Sequence, residues 1–167
     1  MIVTLQMDDD AFQVFDDLRR QHFPPGRNVV PAHLTLFHAL PGEEKPAVAA
    51  ILHSLCQETQ PLTISFPDVR FFGRGVAIEV EGAGLRTVRR RLASAWQPWL
   101  NAQDRQPFRP HITIQNKVSP AQARALFERL RQTWQPFGGQ GTGLRLWRYL
   151  GGPWELLEAF VFEQDAA

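Results

Sequence analysis

Pro31-Ala32-His33-Leu34-Thr35-Leu36 and Arg109-Pro110-His111-Ile112-Thr113-Ile114 decide how this chain is read. Residues two apart on an extended strand share a face. His33 and Thr35 therefore point one way and Leu34 and Leu36 the other, and the second stretch divides in the same manner. The apolar faces suit packing beneath helices, which leaves one imidazole and one hydroxyl on each opposite face. A single His-x-Thr carries little information. Two copies, one in each half of the chain and each with proline one or two positions before the histidine, predict two pseudo-symmetric lobes. If the lobes face each other, the groove between them collects two imidazoles and two hydroxyls. That set suits phosphodiester chemistry: one histidine takes a proton from the attacking oxygen, the other supplies one to the leaving oxygen, and the threonine hydroxyls hold phosphoryl oxygens. No metal is needed.

Working outward, Ile2 to Met7 alternates as a strand, and Asp8, Asp9 and Asp10 open a helix carrying Phe12, Phe15 and Leu18. Pro24-Pro25-Gly26 is a turn. Val29 to Leu40 reads as the first motif strand, and Glu43 to Glu58 as a helix with Val48, Ile51, Leu52 and Leu55 on one face. Leu62 to Phe72 and Val76 to Val80 form a hairpin around Gly73-Arg74-Gly75. Next comes a helix with Leu85, Val88, Leu92, Ala95 and Trp99 on its apolar side. Arg86, Arg89, Arg90 and Arg91 lie on the other, where a solvated face is expected. Arg109 to Val118 is the second motif strand. Ser119-Pro120 caps a helix carrying Ala123, Leu126, Phe127 and Leu130. Two strands, Leu144 to Leu150 and Trp154 to Glu163, close the order through Gly151-Gly152-Pro153. The expectation is an α+β fold: one two-lobed domain over 1–167, with two mostly antiparallel sheets forming a central groove and helices on the outer faces.

Composition narrows the function classes. The 167 residues are 44% hydrophobic and 21% charged, which excludes a disordered chain. A net charge of +1 argues against strong electrostatic binding of nucleic acid, so nucleotide recognition must be local. Cys56 is the sole cysteine and reads as a buried, inert thiol, which leaves neither a disulfide framework nor a thiolate metal site. No signal-peptide pattern or membrane-length apolar run is apparent, and a cytoplasmic location is expected. No cofactor is expected. Zinc chemistry lacks a His-x-x-x-His helix or a carboxylate beside either motif, and a Gly-x-Ser-x-Gly elbow is missing. His22, His38 and His53 read as structural or surface residues. Alternation puts His38 on the face opposite His33.

The paired motifs resemble the two-histidine phosphoesterase superfamily, in its branch of RNA 2′,3′-cyclic phosphodiesterases and 2′-5′ RNA ligases. The Phe72-Gly73 turn, the Arg-Pro-His approach at 109 to 111 and the last strand pair with Phe160 follow the same order. The resemblance implies His33 and His111 as the acid/base pair and Thr35 and Thr113 as phosphate holders. Family members commonly carry a basic residue soon after the second motif. Here Gln115-Asn116-Lys117 stands in its place, with Lys117 and Arg109 as candidate groove cations. Phe37, Trp147 and Tyr149 are candidates for stacking a base. The implied activity is metal-independent opening of 2′,3′-cyclic phosphates on RNA ends, nucleotides or small phosphodiesters, with reverse 2′-5′ ligation open to the same groove. The rival is a non-catalytic nucleotide or RNA binding module using that groove.

Overall fold

A computed structural model describes residues 1–163; residues 164–167 of the expected 1–167 unit lie outside the described residues. The elements run β1 (Ile2–Met7), α1 (Asp9–His22), β2 (Leu34–Phe37), α2 (Lys45–Gln57), β3 (Leu62–Phe66), β4 (Val69–Phe71), β5 (Val76–Glu79), α3 (Ala83–Ala95), β6 (His111–Gln115), α4 (Pro120–Thr133), β7 (Phe137–Tyr149) and β8 (Trp154–Val161). All strand pairs are antiparallel, in the order β3-β7-β1-β2-β6-β5-β4, with β8 added beside β7. The two expected sheets are the two halves of this one curled sheet, joined where Leu34 of β2 pairs with Ile112 of β6. A bridge between Ser65 and Glu81 links β3 to the chain just after β5 and draws the sheet around.

Local chemistry fixes the helices. Asp8 caps α1 by accepting from the Ala11 amide at 2.9 Å. Asp9 and Asp10 in the first turn, and Arg19, Arg20 and His22 in the last, complement the helix dipole. Ser119 and Gln122 form a reciprocal capping box at α4, with Pro120 at its first position. One contiguous core holds Leu34, Leu36, Ile112 and Ile114 of the motif strands together with Phe15, Leu52, Leu92 and Trp96 of the helices.

The strands differ from the sequence expectation for identifiable reasons. The segment before β2 is held by α1 instead of a strand ladder. Asp16 accepts from the Ala32 amide at 3.0 Å, and Arg19 donates to Asn28 Oδ1 and Val30 O, each at 3.0 Å. β7 begins at Phe137, well before Leu144, and runs through Gly138, Gly139, Gly141 and Gly143. Those glycines admit close neighbours from three partner strands: β1 along one edge, β3 and then β8 along the other. A Cβ on Gly143 would sit 2.2 Å from Phe160 O, a backbone atom that cannot swing away. Gly143→Ala should therefore destabilise the fold by about 1–3 kcal/mol or more, whereas Gly26→Ala, with nothing within 4 Å of its Cβ, should stay within about 1 kcal/mol of wild type. Urea unfolding of the two variants checks the contrast.

Candidate active site

Pairing at Leu34 and Ile112 directs His33 toward Thr113 and Thr35 toward His111, on the face away from the core. All four side chains are half-buried. His33 Nδ1 lies 2.7 Å from Pro31 O, and His111 Nδ1 lies 2.9 Å from Arg109 O. A carbonyl can only accept, so Nδ1 carries the hydrogen in both rings. Each Nε2 is left without the hydrogen, and the same backbone device sets both rings.

Burial lowers the pKa of both histidines. His33 is pushed down to about 4, against a rise from its Pro31 hydrogen bond and with further lowering by Arg19, His111 and His38. His111 is lowered chiefly by burial, then by Arg70 and His38, and its bond to Arg109 O acts in the opposite sense. That each ring feels groove partners, His33 through His111 and both through His38, places the three imidazoles within electrostatic reach of one another. Trp154 packs against His33 with ring centroids 4.5 Å apart.

Arg19 works beneath the site. It is only 3% exposed, and its Nη1 donates to Thr113 O at 2.7 Å while Nη2 holds Asn28 and Val30. One guanidinium thus ties the approach to the first motif to the backbone of the second. Desolvation lowers its pKa to about 10, so it stays charged at neutral pH.

The alternation used for the outlying candidates breaks one residue after each threonine. Thr35 pairs with Thr4 but Phe37 with Val3; Thr113 pairs with Ala77 but Gln115 with Val76. Each motif strand carries one extra residue, Leu36 or Ile114, a β-bulge that reverses the parity beyond it. Phe37 is consequently a core residue and not a base-stacking one. It is fully buried, edge-on to Trp96 at 4.8 Å and under the Arg89 guanidinium at 3.8 Å. The same reversal buries Gln115 and carries His38 to the groove side. Lys117 does not extend the motif face either: it sits in a turn at φ 63°, exposed, beyond the bulge.

His38 is an exposed residue with a structural partner, as expected, but it does not lie on the face opposite His33. Its Nδ1 donates to Asp104 Oδ1 at 2.9 Å, and its ring remains 43% exposed. Asp104 also accepts from the amides of His38 and Ala39. Burial pushes that carboxyl up, but these donors outweigh it and hold it below the usual carboxylate range. Arg89 braces the arrangement by donating to Leu36 O at 2.7 Å and Asp104 O at 2.6 Å. The expected solvated arginine face of α3 therefore lacks Arg89, which is buried.

Trp147 lies beside the groove: its Nε1 donates to Thr4 Oγ1 at 2.9 Å, and its ring centroid is 6.1 Å from that of Trp154. With His33, Gln6 and Arg145 the two tryptophans line a cavity of about 140 Å³. Tyr149 is 60% exposed and does not line it. Arg109 is exposed and acts electrostatically on Arg70 of β4, which in turn acts on His111. Sequence reasoning missed Arg19, Arg70, Arg145 and Trp154. Only Arg145 had a signal, its shared parity with Trp147. Among the described residues no three His, Cys, Asp or Glu side chains form a cluster that could hold a metal ion, and no helix is long and apolar enough to cross a membrane.

The profile of the 2′-5′ RNA ligase superfamily matches residues 7–153. The chain belongs to that superfamily, and with it to the two-histidine phosphoesterases. TT0787 of Thermus thermophilus is similar in structure at a TM-score of 0.71 and 19% identity, over 99% of this chain and 100% of that one. LigT of Escherichia coli, solved with 3′-AMP, is similar at a TM-score of 0.62 and 17% identity, over 98% of this chain and 97% of that one. LigT has also been solved with NADP+ and with ATP. At these identities the likeness is one of fold. No curated protein is significantly similar in sequence.

The lowered histidine pKa values carry a consequence for stability. An unfolded chain protonates its histidines near pH 6.5, whereas the folded chain keeps His33 neutral down to about 4. Between those values the unfolded state binds more protons, so stability falls as pH falls through that window. His33→Gln should flatten that fall in denaturation curves taken from pH 6.5 to 4. In NMR titrations the His33 ring should change last; a midpoint at or above 6.5 would overturn the assignment.

Proposed function

We propose that the groove is a metal-independent cyclic phosphodiesterase site that opens 2′,3′-cyclic phosphates on RNA ends or nucleotides. The observation that carries this reading is the matched presentation of two imidazoles. Each is fixed through Nδ1 by a carbonyl two residues upstream, with Nε2 left for proton transfer beside a threonine of the other motif. Membership of a phosphoesterase superfamily supports the reaction class. The complexes of LigT with 3′-AMP, NADP+ and ATP support a nucleotide-type ligand.

The proton flow follows from the two environments. His33 has the lower pKa and packs against Trp154, so it acts as base and takes a proton from the attacking water at Nε2. His111 acts as acid and supplies a proton from Nε2 to the departing ribose oxygen. A new P–O bond forms to water, the ring P–O bond breaks, and the product is a phosphomonoester with a free neighbouring hydroxyl. Thr35 and Thr113 donate to the non-bridging oxygens, where negative charge grows in the transition state. With a ribose 5′-hydroxyl in place of the attacking water, the same pair joins two ends through a 2′-5′ linkage. The cavity of Trp147 and Trp154 beside His33 suits a stacked base.

Purified protein treated with EDTA should open the ring of a short RNA ending in a 2′,3′-cyclic phosphate. His33→Ala and His111→Ala should each lower the rate by roughly 10²–10⁴. Rates within a few-fold of wild type in both variants would sink the proposal, and binding without turnover would favour a non-catalytic module. A second expectation concerns pH. kcat/KM reports the free enzyme, in which both rings titrate below their ordinary value, so the optimum should lie on the acidic side, between about 4 and about 6.5. An optimum at pH 8 would contradict the assignment of base and acid.

A further inference from the structure

The pseudo-twofold relation between the lobes extends past the two motifs. Across one half of the sheet, Thr35 of β2 pairs with Thr4 of β1, and Thr4 pairs with Arg145 of β7. Across the other half, Thr113 of β6 pairs with Ala77 of β5, and Ala77 pairs with Arg70 of β4. Directly paired residues share a face, so each phosphate-holding threonine looks along its row to an arginine two strands away. The next rows correspond as well. Glu79 pairs with His111, and Gln6 takes the matching place opposite His33, one residue on from the Leu5–Leu34 pair. Each arginine leans toward that neighbour: Arg145 Nε donates to Gln6 Oε1 at 3.3 Å, and Arg70 feels the Glu79 carboxylate.

Both arginines are half-buried, and among the described residues neither has a carboxylate within 4 Å. A half-buried guanidinium without an ion pair keeps its charge and its N–H donors available to an anion that enters beside it. Two of them at symmetry-related positions on the groove face, flanking the two histidines, leave positive charge that Glu79 offsets only in part, and only beside Arg70. In Gln115-Asn116-Lys117, after the second motif, Gln115 is buried and Lys117 lies beyond the bulge in the bend that follows β6.

We propose that Arg70 and Arg145 form a matched pair of anion-binding residues, one per lobe, that grip the substrate's phosphate from opposite sides of the groove. Guanidinium forks suit this task because they bind phosphoryl oxygens in pairs and stay charged. The two sites are unequal. Gln6 leaves the charge of Arg145 intact, whereas Glu79 partly offsets that of Arg70, so Arg145 carries the larger share. The inference rests on the reading of the groove as a phosphodiester site, but its test is separable from turnover.

The measurement is the Kd of adenosine 3′-phosphate, followed by tryptophan fluorescence or calorimetry, with uncharged adenosine as the control ligand. Arg70→Gln and Arg145→Gln should each weaken the phosphate ligand at least tenfold, Arg145→Gln the more, while adenosine binding changes less than twofold. Arg70→Lys and Arg145→Lys should recover part of the loss, and they stand in for any glutamine variant that fails to fold. Glu79→Gln, which makes the second lobe match the first, should tighten the phosphate ligand several-fold. Phosphate affinity within twofold of wild type in the arginine variants would overturn the inference. So would equal losses for adenosine and its phosphate, or a wild type that does not bind the phosphate. A wild type that binds the phosphate yet opens no cyclic phosphate would remove the proposed activity while leaving the arginines to be judged on affinity.

Discussion

The architecture depends on the junction of β2 with β6, where Leu34 meets Ile112. Each half of the sheet has its own helices and its own His-x-Thr, and only the junction sets the two motifs side by side. What secures this junction is a buried cation. Arg19 reaches from α1 to the backbone of Thr113 on one side and to Val30 and Asn28 on the other. A buried guanidinium loses hydration that only well-placed acceptors can offset, and here most of the acceptors are backbone carbonyls flanking the two motifs. The position of His33 relative to Thr113 is therefore set by α1, an element that contributes no side chain to the four-residue centre.

Much of this was legible in the sequence because the decisive features are short-range. Two strands with period-two alternation, prolines before the histidines and the Ser119 cap each follow from local chemistry. The helices fall close to where their apolar spacing puts them. The shared face of His33, Thr35, His111 and Thr113 was readable because they lie before the bulges, where alternation still holds.

Beyond the bulges it does not, and a single extra residue accounts for several differences at once. Leu36 sends Phe37 into the core and His38 to the groove side; Ile114 does the same for Gln115. A bulge is a register event between two strands and leaves no mark in the composition of either. Arg19, Arg70 and Trp154 were unreadable for a related reason. Their roles come from which strand or helix lies beside which, and sequence spacing says little about that. Arg89 looked like one of four solvated arginines because helical spacing cannot tell a guanidinium facing water from one capped by Phe37 and two carbonyls.

The glycine-rich strand β7 has a further meaning for how the chain comes to be folded. It is the shared neighbour of β1, β3 and β8, yet among the described residues only β8 is made after it. During synthesis β1 and β3 must wait with one edge unpaired until Phe137 to Tyr149 arrives. Contacts between segments so far apart in sequence form slowly, and waiting edges are where chains stick to one another. The glycines that let three strands crowd around β7 also make it a poor template on its own, so it gains order only by entering a gap its partners have already shaped. Assembly of the first lobe is thereby deferred to the end of synthesis, when the second motif is already present.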